Sequence, residues 1–99
     1  MTTKKYGAKE LEKDYGALTF GEALESYRLG EQLPQKDFAQ RLGISQSSLC
    51  DLEKGRRIPS AGRATAIAKK LKEPEAFWVQ LAIQDSLREQ DIKLKVHVA

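Results

Sequence analysis

Apolar positions take up a helical period only after Thr19. Residues 1 to about 18 are polar, carry Gly7 and Gly16, and show one short helix-compatible stretch around Ala8 to Asp14, so they read as a mobile arm. Thr19-Phe20-Gly21-Glu22 has the form of a capping box, in which a hydroxyl accepts from an orphan backbone N–H and a glutamate reaches back. It opens a first helix that runs to about Gly30. A second follows from Gln35 to Leu42, with Phe38, Ala39 and Leu42 on one face and Gly43 where a left-handed residue ends a helix. Ile44 and Ser45 lead into a third, from about Gln46 to Lys54, with Ser45 as its cap, Leu49 and Leu52 turned inward and Gly55 closing it. Two brief helices joined by about three residues predict a helix-turn-helix.

Ser60 caps a fourth helix whose apolar stripe is Ala64, Ile67, Ala68 and Leu71, with Lys69, Lys70 and Lys72 near the negative end of its dipole. Pro74 then opens a fifth, to about Glu89, with Phe77, Trp78, Val79, Leu81, Ala82, Ile83 and Leu87 as a broad apolar surface. From Asp91 to Val98 the period changes, and Ile92, Leu94, Val96 and Val98 alternate with polar residues as in a half-buried strand. A lone strand exposes its backbone, so pairing with a second copy or another protein is expected. The domain organisation predicted is an arm over 1–18, a helical domain over 19–90 and a strand over 91–99.

A chain of 99 residues, 40% hydrophobic and 31% charged, supports a single modest core. The net charge of +3 is unevenly placed: Gln35 to Glu73 holds nine Lys or Arg against four Asp or Glu, and the flanks are each slightly acidic. A basic middle points to an anionic partner. Cys50 is the only cysteine, so no intrachain disulfide is possible, and no Cys and His stand at zinc-ligand spacing. With no apolar run of membrane-span length and no signal-like start, the expected setting is a reducing cytoplasm. Paired carboxylates, an activated nucleophile, a glycine-rich phosphate loop and a metal cluster are all missing at usable spacing, so neither an enzyme nor a cofactor is expected. Cys50 reads as a small side chain, His97 as a lone imidazole, and Phe77 and Trp78 as core and not ligand-stacking residues.

The string QKDFAQRLGISQSSLCDLEKGRRIPS resembles the Cro/CI-type (XRE) helix-turn-helix regulators, from about Phe20 through Leu71. Gln35 opens the second helix, Ala39 stands where the helices touch, Gly43 lies in the turn, and Leu52-Glu53-Lys54-Gly55-Arg56 closes the third. Pro34 departs from the pattern, standing where many members have Ser or Thr. The resemblance implies an all-α, five-helix lambda-repressor-like DNA-binding domain, to which the periodicity adds a short C-terminal β-strand. The segment ending QDSLREQDIKLKVHVA is similar to the C-terminus of short HigA-like antitoxins of bacterial toxin-antitoxin systems.

A helix of this kind enters the major groove by its first turn. By resemblance, Gln46, Ser47 and Asp51 face the bases: Gln46 could pair bidentately with adenine, and Asp51 could accept from cytosine N4. Gln35 matches a phosphate-gripping residue, reinforced by the positive end of its helix, and Arg41, Ser48, Arg56 and Arg57 are further phosphate candidates. Arg28 and Glu53 match a structural ion pair between the first and third helices. Trp78 and Leu81, with the strand face of Ile92, Leu94, Val96 and Val98, are the expected dimer or partner surface. The function implied is a homodimeric repressor of double-stranded operator DNA, acting as the antitoxin of a toxin protein and repressing its own operon. The alternatives are a stand-alone phage-type or metabolic repressor, and an interaction module that keeps the scaffold without reading DNA.

Overall fold

In the computed structural model residues 18–98 are described, with side chains through residue 92. Five helices follow in order: α1 (Phe20–Gly30), α2 (Gln35–Leu42), α3 (Gln46–Glu53), α4 (Ala61–Leu71) and α5 (Glu75–Val98). The arm expected over 1–18 lies outside the described residues except for Leu18.

Three of the start signals act through an identifiable bond. Thr19 Oγ1 accepts from Glu22 N at 3.0 Å while Thr19 N donates to Glu22 Oε1 at 3.1 Å, completing the capping box. Ser45 Oγ accepts from Ser48 N at 3.0 Å, and Ser60 Oγ accepts from Arg63 N at 3.1 Å. Pro34 makes no side-chain cap, so α2 alone begins without one among these four helices. At its other end Gly43 takes φ 75°, and Ile44 N donates to Ala39 O at 3.0 Å. This left-handed cap turns the chain from α2 into α3 within three residues.

The stripes read from the sequence converge on one core. Phe20, Leu24, Phe38, Leu49 and Leu52 are its largest fully buried side chains, each worth about 1.5–3 kcal/mol of burial. Tyr27 stacks on Phe38 at 5.9 Å, and Phe20 meets Trp78 edge to face at 5.4 Å. α3 packs on α1 and α2, α4 on α2, and α5 on α4 and α1. A polar link fastens the last of these contacts: the buried Asp85 of α5 accepts from Phe20 N at 2.9 Å, and Arg88 donates to Asp85 Oδ1 at 2.7 Å.

Two expectations are corrected. The segment from Asp91 to Val98 is not a strand, because α5 runs unbroken from Glu75 to Val98. No Gly or Pro interrupts it, each added residue gains one backbone bond once a helix exists, and a lone strand would leave those groups unpaired. The side chains of Leu94, Val96 and Val98 lie outside the described residues. Trp78 and Leu81 do not form a partner surface either: at 2% and 5% exposure they belong to the core. The outward face of α5 instead carries Ile83 and Leu87, 47% and 63% exposed, and Ile92 is also exposed. Among the described residues no helix is long and apolar enough to cross a membrane, and no three His, Cys, Asp or Glu are grouped to hold a metal ion.

Candidate nucleic-acid interface

α3 divides its residues sharply between core and surface. Leu49, Leu52 and Glu53 are buried, whereas Gln46 and Ser47 are exposed and Ser48, Cys50 and Asp51 half-buried. Gln35, Gln46, Ser47, Cys50, Asp51 and Arg56 line one open depression. This gathers both ends of the helix-turn-helix on one face. Cys50 belongs there, one helical turn beyond Gln46; its i, i+4 spacing from Gln46 was the available signal.

The back of α3 is held by a charged cluster. Arg28 grips Glu53 bidentately, with Nε 2.8 Å from Oε2 and Nη2 3.2 Å from Oε1. Their side chains are 12% and 2% exposed. Arg28 Nη1 also donates to Leu33 O at 3.0 Å, tying the loop before α2 to the same point. The hydrogen bond that Arg28 donates to Glu53 is the main cause that holds its guanidinium above the ordinary arginine range, with Coulombic attraction to Glu53 and Glu25 adding to it and burial opposing it.

Gln35 joins this cluster: its Nε2 donates to Glu53 Oε1 at 2.9 Å. The second amide hydrogen and the backbone N–H groups of the first turn of α2 are the donors it can still present to a phosphate. Arg41 stands 3.9 Å from Glu31, an exposed pair too loose to immobilise it. Arg57 is exposed beyond the end of α3, and the backbone N–H of Ser48 is taken by its cap.

The two remaining candidates are bonded to each other. Gly55, at φ 77°, reverses the chain after α3, and Arg56 N and Arg57 N both donate to Asp51 O, at 2.9 and 3.3 Å. The reversal lays Arg56 back along the helix, with Nε 3.1 Å from Asp51 Oδ1 and Nη2 3.5 Å from Cys50 Sγ. The hydrogen bond to Asp51 is the leading cause that raises the Arg56 pKa.

A second helix laid across the first, its outer face polar and its first turn open to solvent, backed by a buried ion pair and flanked by arginines, defines a DNA-binding regulator of the helix-turn-helix class. A family model described as helix-turn-helix matches residues 24–78, more than half of the chain, and the protein belongs to that family, of the Cro/CI type its motif resembles. No curated protein and no solved structure matches it significantly.

Proposed function

We propose that the protein is a sequence-specific repressor that binds operator DNA as a homodimer, and that it is the antitoxin of a toxin-antitoxin pair repressing its own operon. The observation that carries the DNA-reading part is the outward first turn of α3, where Gln46 and Ser47 are exposed while Leu49 and Leu52 anchor the helix from behind. An α-helix fits the major groove, and first-turn side chains reach base edges there. Gln46 is the reader of an adenine, Ser47 lies beside it, and Gln35, Arg41, Ser48 and Arg57 are contacts to the phosphates.

The exposed Ile83 and Leu87 of α5 support the homodimer, since a two-fold pair buries the same patch from both copies. The antitoxin role rests on the resemblance of the C-terminal segment. Anisotropy of the purified protein on the DNA upstream of its own gene and on scrambled DNA, over a salt series, tests the reading of DNA. Wild type is expected to prefer the upstream DNA, and Gln46→Ala to lose about 1–3 kcal/mol of discrimination at one base pair. Equal, strongly salt-dependent binding to both duplexes would reduce the interface to electrostatics. Rescue of growth from the neighbouring gene's product separates an antitoxin from a stand-alone repressor.

A further inference from the structure

The bond between Asp51 and Arg56 reverses the roles that the sequence suggests for them. We infer that Arg56 reads a guanine in the major groove and that Asp51, which faces the groove without reading it, is the positioning residue that aims the Arg56 guanidinium. This rests on the DNA-reading assignment above and names which side chains of that face carry specificity.

Three observations lead there. First, the Asp51 carboxylate is already engaged: Oδ1 accepts from Arg56 Nε at 3.1 Å, which pairs its charge with the guanidinium and holds the two side chains together. A bare carboxylate in the groove would also meet the field of the phosphates, which the guanidinium cancels. Second, Arg56 points inboard. The reversal at Gly55 and the two amides closed onto Asp51 O start its side chain beside the last turns of α3. Its Nη2 then rests against Cys50 Sγ at 3.5 Å, and it shares the depression with Gln35, Gln46 and Ser47. An arginine serving only the flanking phosphates has no need to lie over the reading helix.

Third, the bonds it makes use one particular edge. Nε and Nη2 face Asp51 and Cys50, so these bonds take one edge of the planar fork and leave the other, Nη1 with the second hydrogen of Nη2, as the edge that can meet a base. Two parallel donors in one plane are what the O6 and N7 acceptors of guanine require. Cys50 is four residues from Gln46, about 6 Å along the helix axis. The guanine should therefore lie within about two base pairs of the position read by Gln46, at 3.4 Å per step.

The experiment selects duplexes from a random-sequence pool with the full chain, then measures the selected duplex and its single-base variants against wild type, Arg56→Ala, Arg56→Lys, Asp51→Ala and Asp51→Asn. Wild type is expected to require a guanine near the Gln46 position by about 10- to 100-fold. Arg56→Ala and Arg56→Lys should both relax that one base pair, and Asp51→Ala should relax the same pair. Asp51→Asn, which keeps an oxygen acceptor for Nε, should retain most of the preference. Replacing the guanine with 7-deazaguanine, which lacks the N7 acceptor, should weaken wild type and leave Arg56→Ala unaffected. If Arg56→Ala weakens every duplex equally, Arg56 is a phosphate contact and the inference is wrong. If Asp51→Ala relaxes a pair that Arg56→Lys leaves intact, Asp51 reads directly and the inference is equally wrong. If wild type enriches no sequence at all, the DNA-reading assignment itself fails.

Discussion

Gly21 shows how much can hang on one missing side chain. It sits in the first turn of α1, and a Cβ built there would press on the carbonyl oxygens of Leu52 and Glu53, the second at 2.7 Å. These are backbone atoms that end α3 and cannot swing aside. Gly21→Ala is expected to cost about 3 kcal/mol, seen as a lowered midpoint in urea denaturation. In the sequence this glycine was only a spacer inside the capping box, because the surface it must accommodate comes from residues some thirty positions later. The Arg28–Glu53 pair was legible through resemblance, but its burial was not, and burial sets its weight. Arg28→Ala leaves a carboxylate that is 2% exposed with Gln35 alone among its side-chain donors. The expected loss is about 3 kcal/mol, with Arg28→Met/Glu53→Leu recovering part of it in a double-mutant cycle. Since the guanidinium's pKa is raised, its own titration leaves that stability in full below the ordinary arginine range and withdraws it only as pH rises above that range.

The helices declared themselves to the extent that their ends are chemically marked. Thr19, Ser45 and Ser60 are caps both by residue type and by observed bond, and Gly43 takes the positive φ that its position required. α4 ends differently. Lys72 occupies the left-handed region at φ 59°, and Glu73 N donates to Ala68 O at 3.0 Å, so a lysine fills the place a glycine usually takes. Lys72→Gly is expected to raise stability by about 0.5–1 kcal/mol, measurable as a rise in Tm with unchanged helical signal. The misread element is the end of α5. Alternation over eight residues favours a strand only where a neighbouring strand is present, and a helix already under way offers every amide a partner at no such condition. Period is thus a weaker guide after a long helix than after a turn.

For the molecule as a whole, the core follows from the sequence, whereas Trp78 and Leu81, expected on the free apolar surface of α5, lie within that core. Trp78 and Leu81 were assigned outward because the helix is apolar around much of its girth, and periodicity cannot say which part of a broad stripe its neighbours will cover. With Ile83 and Leu87 exposed instead, Leu87→Glu is the discriminating change. Wild type is expected to sediment as a dimer and Leu87→Glu as a monomer with its helical signal intact; a wild-type monomer would remove the two-fold arrangement from the reading. The bond from Asp85 to Phe20 N bears on how such an assembly would behave. It spans 65 residues of sequence, and the turn it fastens holds the glycine that lies against the end of α3. The molecule is in this respect a closed frame: one buried bond ties α5 to the turn of α1 on which the end of α3 rests.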